Sequence, residues 1–334
     1  MKRPKVLLTN PIDAAGVSIL ERQAEVTIAP DVRAETLRRI ICDADALIVR
    51  AQLPDDIFEQ PHRLRGVVRH GAGVDMIPLE AATAHGIPVA NVPGVNAGAV
   101  AEYCICGMLL LLRAMHRIDH ALRTTDWNAS RKIADDAVEL SGRTVGIVGV
   151  GNVGRRVAEI CSGAFRMRVL GYQRRLERLP AFATGVDLDT LFAESDFVVL
   201  SCPLTAATRG LISRRLIALM KPTAGLINVA RGPVVDEAAL VDALRERRIR
   251  GAVLDVYGEH PLPREHPLLG LENAVLTPHM AGITAESMQC MSVGAAHEVL
   301  RMLAGERPVN CANPEVWNVH RARSGAGTVN GTRS

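Results

Sequence analysis

The sequence lacks any long apolar run. Its longest uncharged apolar stretch, Tyr103 to Leu112, is too short to span a bilayer. No secretory leader is legible, because the basic Met1-Lys2-Arg3 start leads only to Val6-Leu7-Leu8, which is soon broken. Neither sign of charge dominates. Thirty-nine Lys and Arg against thirty-six Asp and Glu leave a net charge of +3, too small for an electrostatic attraction to nucleic acid. Seven cysteines at irregular spacings form neither a disulfide framework nor a zinc pattern. Cys104 and Cys106 lie two apart in an expected helix, where side chains do not face each other. His116 and His120, four apart, could make half a metal site but have no third ligand at suitable spacing, so no metal is expected. These absences point to a cytoplasmic protein with no membrane and no nucleic-acid partner.

What is present is the composition of a folded chain, 48% apolar and 22% charged over 334 residues. That length exceeds the size at which one hydrophobic core stops growing, so two domains are expected. Two blocks alternate short β-branched runs with helical periodicity, the sign of parallel sheets wrapped by helices. The first offers Val6–Leu8, Glu25–Ile28, Ala46–Val49, Gly66–Val68 and Pro88–Ala90 as strands. A single long helix is expected from Ala97 to Leu122. The second block offers Val145–Val150, Arg168–Tyr172, Phe197–Leu200, Gly225–Val229, Ala252–Val256 and Ala274–Leu276 as strands, with Asp236–Arg248 its clearest helix. Glu286–Leu303 is again helical, and residues 320–334, almost devoid of apolar side chains, are expected to be a disordered tail.

Gly149, Gly151 and Gly154 form G-x-G-x-x-G with Val150, Asn152 and Val153 between them. The string is weak alone. Here it follows the Thr144–Val148 strand directly and opens a helical run, the context a dinucleotide fingerprint requires. The first glycine permits the turn, the second admits a pyrophosphate, and the third lets helix and strand pack closely. About twenty residues on, an acid should grip the ribose 2′-hydroxyl. The strand ends instead in Gln173, Arg174 and Arg175. A carboxylate would repel a 2′-phosphate, whereas arginine binds it bidentately, so NADP(H) is favoured over NAD(H).

At this point the chain resembles the D-isomer-specific 2-hydroxyacid dehydrogenases. The resemblance runs from residue 5 to about 317 and is carried by residues 91–102 (NVPGVNAGAVAE), the glycine loop, 203–210 (PLTAATRG), 227–237 (INVARGPVVDE), 254–257 (LDVY) and 276–282 (LTPHMAG). It implies an α/β fold of two Rossmann-like, doubly wound parallel-sheet domains. A flavodoxin-like substrate domain would comprise residues 1–98 and 286–319, and an inserted NAD(P)-binding Rossmann domain residues 99–285, with the active site between them. It further implies a homodimer.

The chemistry that the resemblance implies is reduction of a 2-oxo acid. A cation must hold the carboxylate, and Arg231, after the strand ending in Asn228-Val229-Ala230, matches the family's substrate-binding arginine; its fork pairs bidentately and never deprotonates. His279 matches the acid/base histidine, whose ordinary titration near neutrality suits reversible proton transfer. One position departs from the family pattern. Members carry a glutamate before the proline in this stretch, paired with the histidine, whereas here residues 255–261 read DVYGEHP, placing His260 there and Glu259 before it. Either the loop shifts by one residue and presents Glu259, or His260 itself contacts His279 or the substrate. The flanking Pro261 favours the second.

The resemblance also assigns lesser roles. Ala72 and Gly73 would offer backbone N–H groups to the substrate carboxylate, and Arg50 and Leu53 would line the far wall of the pocket. Asn96 would lie near the nicotinamide, Asp255 would hold its carboxamide, and Cys202, Pro203 and Thr208 would flank the adenosine-pyrophosphate side. The expected activity is NADPH-linked reduction of a small 2-oxo acid of the glyoxylate or hydroxypyruvate type. D-3-phosphoglycerate oxidation is the alternative enzyme activity. A nucleotide-sensing binding protein is the alternative of another class, because the family includes corepressors of this fold.

Overall fold

The computed structural model describes residues 3–317, so the expected tail at 320–334 lies outside the described residues. Contacts divide the chain into two units, one containing residues 3–96 and 283–317, the other residues 97–282. The chain thus passes between them at Asn96–Ala97 and Gly282–Ile283, slightly earlier than the sequence places the crossings.

The first unit is a five-stranded parallel sheet of β1 (Lys5–Leu8), β2 (Glu25–Ile28), β3 (Ala46–Val49), β4 (Val67–Arg69) and β5 (Val89–Ala90). Its strand order, β2-β1-β3-β4-β5, is the flavodoxin-like one. Both faces are covered, which is why the strands read as unbroken apolar runs. Leu7, Leu47, Val49, Val67 and Val89 pack on one face with Leu37 and Ala82, which lie on α2 (Ala34–Ile40) and α3 (Leu79–Ala84). Val6, Leu8, Ile48, Val68 and Ala90 pack on the other with Leu20, Ala295 and Val299, from α1 (Ala14–Glu21) and the returning helix numbered last below.

The second unit is a seven-stranded parallel sheet. It contains β6 (Thr144–Val148), β7 (Arg168–Tyr172), β8 (Ala183–Gly185), β9 (Phe197–Leu200), β10 (Gly225–Asn228), β11 (Gly251–Leu254) and β12 (Ala274–Leu276). The order β12-β11-β10-β9-β6-β7-β8 is the Rossmann order, with β12 extending one edge. One face carries α4 (Ala97–Arg113) and α7 (Asn152–Phe165). The other carries α8 (Leu188–Glu194), α9 (Arg214–Leu219) and α10 (Glu237–Arg245). Both units are therefore Rossmann-like α/β domains. The last helix, α11 (Ala285–Leu303), opens on a capping box between Thr284 and Ser287.

Two elements differ from expectation. The long helix breaks at Ala114, whose φ of 48° is left-handed, and α4 is followed at 54° by α5 (Met115–Thr124). The break falls where the sheet ends: α4 buries Met108, Leu111 and Leu112, whereas α5 buries nothing and leads to α6 (Trp127–Lys132). The sequence reading also lacks β8, a three-residue edge strand with no apolar run to mark it. Among the described residues no single helix is long and apolar enough to cross a membrane.

Candidate active site

The glycine loop is built by three separate constraints. Gly149 has φ +93°, and a Cβ there would lie 2.6 Å from the Cys202 backbone nitrogen. Its own N–H donates to Tyr172 O at 2.8 Å, and Ser201 Oγ donates to its carbonyl at 2.7 Å. A Cβ on Gly154 would lie 2.3 Å from Gly149 O, so this glycine sets the helix against the strand. Gly151 is different: a Cβ there meets nothing within 4 Å. Gly151 is the N-cap of α7 and supplies no side-chain cap to its neighbours' N–H groups. Asn152, Val153 and Gly154 therefore open a positive helix end beside a space that the chain leaves empty. That combination fits a pyrophosphate.

β7 leads to Gln173, whose Nε2 donates to Arg175 O at 2.8 Å and turns the chain. Arg174 and Arg175 are exposed, and neither has an ion pair among the described residues, although several other exposed arginines do. Cys202 is buried, which pushes its thiol pKa up. Thr208 Oγ1 donates to Pro203 O at 2.7 Å and accepts from Thr205 N, closing the loop after β9. Both arrangements leave the ends of β6, β7 and β9 beside one another.

Arg231 leaves the turn after β10 with its backbone held by Asn228. The Asn228 side chain accepts from Ala230 N at 3.0 Å and donates to Arg231 O at 3.2 Å. Arg231 Nη1 donates to Ala230 O at 2.6 Å. The next residue must be glycine, since a Cβ on Gly232 would lie 1.8 Å from Tyr257 C and O. The turn carrying Arg231 is thus in backbone contact with the loop carrying His260.

That loop is tied from behind by Glu237. Its carboxylate accepts from Gly258 N at 2.9 Å and pairs with His266 Nε2 at 3.2 Å. Leu268 N donates to His266 Nδ1, so Nε2 is the ring nitrogen that carries hydrogen. His260 lies between Tyr257, ring centroids 5.8 Å apart, and His279, 5.7 Å apart with planes inclined at 48°. Glu259 is exposed on the same loop and makes no hydrogen bond or ion pair among the described residues. It is His260 that faces His279.

His279 follows β12 with φ 55°, a left-handed conformation unusual for a side chain of this size. Asp255, 2% exposed, accounts for the fold of this turn. Its Oδ1 accepts from Thr277 Oγ1 at 2.6 Å and Met280 N at 2.7 Å, and its Oδ2 accepts from Ala281 N at 2.8 Å. The expectation that Asp255 grips the nicotinamide carboxamide thus meets a carboxylate already engaged by its own chain. Tyr257 Oη lies within hydrogen-bond distance of Leu254 O and Thr277 O, and burial pushes its pKa up to about 12. Tyr103, Thr277, Asn228 and Glu237 were not singled out by the sequence reading. Thr277 adjoins the Pro278-His279 pair and Tyr103 directly follows the 91–102 stretch, but neither motif assigns them a role.

In the first unit, Arg50 donates through Nη1 to Pro11 O and approaches Met288 Sδ at 4.0 Å with Nη2. Its partial burial pulls the guanidinium pKa down. Leu53, expected on the far wall of the pocket, is 2% exposed and packs in the core with Ile57, Phe58 and Val67. Among the described residues the Ala72 and Gly73 N–H groups have no backbone acceptor, while their carbonyls accept from Asn91 Nδ2 and Arg69 Nε. Asn96 ends the unit, one residue before α4.

Residues 105–281 match the family described as D-isomer specific 2-hydroxyacid dehydrogenase, NAD binding domain. The chain is similar to a glyoxylate reductase of Pyrococcus furiosus, 36% identical over 332 residues that cover 96% of this chain and 98% of that protein. It is similar also to a D-3-phosphoglycerate dehydrogenase of Methanocaldococcus jannaschii, 37% identical over 315 residues. That match covers 92% of this chain and spans 59% of the longer relative. Among solved structures, an NADPH-dependent glyoxylate/hydroxypyruvate reductase of Sinorhizobium meliloti in complex with NADP and malonate aligns with a TM-score of 0.82. Its identity is 27%, and the alignment covers 93% of this chain and 97% of that one.

Proposed function

The chain belongs to the D-isomer specific 2-hydroxyacid dehydrogenase family, NAD(P)-dependent oxidoreductases acting on 2-hydroxy acids, and from that premise we propose that it reduces a small 2-oxo acid of the glyoxylate or hydroxypyruvate type with NADPH. The unit of residues 97–282 serves as the nucleotide domain, with Gly149, Gly151 and Gly154 admitting the pyrophosphate and Asn152 and Val153 opening the helix beside it. Arg174 and Arg175 take the 2′-phosphate, with Gln173 shaping their turn. Cys202, Pro203 and Thr208 border the adenosine side. The nicotinamide, when bound, supplies a hydride to C2.

This chain's own residues do the rest. Arg231 clamps the carboxylate bidentately and orients the carbonyl. His279, as imidazolium, gives its proton to the carbonyl oxygen as C2 is reduced, and recovers one from solvent. His260 stands in the place of the family's glutamate, and Glu259 stays in water. From the first unit, the N–H groups of Ala72 and Gly73 bind the carboxylate, while Arg50 and Asn96 complete the substrate's surroundings. What carries this reading is one observation: Gly232 brings the Arg231 turn against the backbone of Tyr257, three residues from the imidazole that faces His279. The exposed Met115, Leu122 and Trp127 of α5 and α6 support a homodimer, which we place in the cytoplasm.

The test is consumption of NADPH and of NADH with glyoxylate and with hydroxypyruvate between about pH 5 and 9. Turnover with NADPH at a kcat/KM at least tenfold above that with NADH is expected. NADH preference removes the assignment of Arg174 and Arg175. Nucleotide binding without turnover of any 2-oxo acid replaces the enzyme with a nucleotide sensor. One observation favours a second substrate, a 2-oxo acid bearing a distal phosphate. Arg50 presents a partly desolvated guanidinium in the first unit, and the relative from M. jannaschii is named for 3-phosphoglycerate. Preference for 3-phosphohydroxypyruvate, lost in Arg50→Met, would establish it.

A further inference from the structure

We propose that Tyr103 is a positioning residue for His279, acting through Thr277 and Asp255. The assignment rests on His279 being the proton donor. A left-handed conformation is unfavourable for any residue other than glycine and persists only where its neighbours over-determine it. His279 is such a residue, at φ 55°. The residues two before it and one and two after it are all bonded to a single carboxylate, that of Asp255, through Thr277 Oγ1, Met280 N and Ala281 N. Asp255 is buried at the end of β11. The turn therefore straddles a fixed anion, and His279 is its apex.

The direction of the outer bonds follows from proton inventory. An ionised carboxylate can only accept, so the Thr277 hydroxyl must spend its one hydrogen on Asp255 at 2.6 Å. Tyr103 Oη lies 2.6 Å from the same Thr277 oxygen and must then be the donor. The chain Tyr103 O–H to Thr277 O–H to Asp255 has one possible polarity. Tyr103 is held on α4 next to the buried Cys104, and burial pushes its phenol pKa well up, keeping the donor protonated. Without the phenol hydroxyl, Thr277 Oγ1 has an unsatisfied lone pair in a part-buried place, and only its bond to Asp255 still fixes the rotamer. Tyr257 closes the opposite side by reaching Thr277 O. Helix α4 thus reaches the His279 turn through three side chains and the backbone N–H groups of Met280 and Ala281.

The experiment combines two readouts on the full chain. Amide hydrogen exchange at Met280 and Ala281, recorded without nucleotide or substrate, reports the turn itself. Steady-state kinetics report the chemistry. Tyr103→Phe is expected to speed exchange at both amides about tenfold and to lower kcat about tenfold, with both KM values within about twofold, the loss expected for one hydrogen bond in a charged network. Thr277→Ser keeps the hydroxyl and should retain both properties, while Thr277→Val should lose more than Tyr103→Phe does. The double variant Tyr103→Phe/Thr277→Val should be no worse than Thr277→Val alone, because Tyr103 acts only through Thr277. Unchanged exchange in Tyr103→Phe, or additive losses in the double variant, overturns the proposal. If Thr277→Val does not fold, Tyr103→Phe against Thr277→Ser still decides. Faster exchange in Tyr103→Phe, with a wild type that turns over no 2-oxo acid, upholds the positioning and removes the proton-donor role instead.

Discussion

The imidazoles of His260 and His279 face each other with ring centroids 5.7 Å apart. A carboxylate at that distance would favour the imidazolium form of His279, whereas a second imidazole, once charged, opposes it. In the proposed role His279 gives its proton during reduction, so the rate is expected to fall as pH rises and the ring loses that proton. His260→Glu should therefore carry the alkaline limb of kcat/KM for reduction to higher pH by about one unit. A pH–rate profile measured with saturating nucleotide checks this, and superimposable profiles would show that the neighbour does not govern the donor.

Arg174 and Arg175 stand exposed and without ion pairs among the described residues, where a nucleotide-binding acid would otherwise sit. The double variant Arg174→Ser/Arg175→Ser should raise the KM for NADPH ten- to hundredfold, the range of charge-assisted hydrogen bonds to a phosphate. The KM for NADH should stay within about twofold. Equal losses with both nucleotides would mean that the pair contacts something common to them.

The three loop glycines should separate under substitution. Gly151→Ala adds a methyl to open space and should leave thermal stability unchanged, while weakening nucleotide binding at least tenfold if the pyrophosphate occupies that space as proposed. Gly149→Ala meets the Cys202 backbone and a φ of +93°, and should cost about 2–3 kcal/mol of stability before any binding is measured. Thermal unfolding and nucleotide titration of the two variants, run side by side, distinguish the roles.

His70 predicts a pH dependence of stability. Burial first, then the Arg50 and Arg69 charges, holds its pKa down to about 4, while its Nε2 is bonded to Ser292 Oγ at 2.8 Å. The unfolded chain takes up a proton near pH 6.5 that the folded chain refuses until about pH 4. Stability should therefore fall as pH drops through that window, by roughly 3 kcal/mol in all, and level off below it. Urea denaturation followed by Trp317 fluorescence in a Trp127→Phe background reports the first unit, since the buried Trp317 belongs to its core. His70→Gln should flatten the slope between pH 6.5 and 4 relative to the parent; an equal slope in both would assign the dependence to other groups.

Much of this protein is written in local pattern. Alternating apolar runs such as Ala46–Val49 and Phe197–Leu200 mark strands covered on both faces, and Gly149, Gly151 and Gly154 after a strand mark a helix end that admits phosphates. The absence of an acid after Tyr172 is equally local. Each of these depends on neighbours within a few residues, so each is legible without the fold. Resemblance adds Arg231 and His279 because their motifs are contiguous. The packing of Leu53, by contrast, is decided by residues from β3, β4 and the turn at Ile57 together.

Other features exist only once distant segments meet. Ala114 turns left-handed because the sheet beneath α4 ends there, a fact of packing that no residue near it announces. Gly232 is indispensable because Tyr257 lies against it, and His260 faces His279 because Glu237 holds Gly258 from behind. Tyr103 and Thr277 are 174 residues apart, yet share a hydrogen bond of 2.6 Å. The sequence by itself determined the two sheets, the glycine turn before α7 and the residue types of the candidate site, because periodicity and turn chemistry are local. The tertiary structure alone decided how the His279 turn is held and which imidazole faces it, because a hydrogen bond depends on distance in space and carries no trace of separation along the chain.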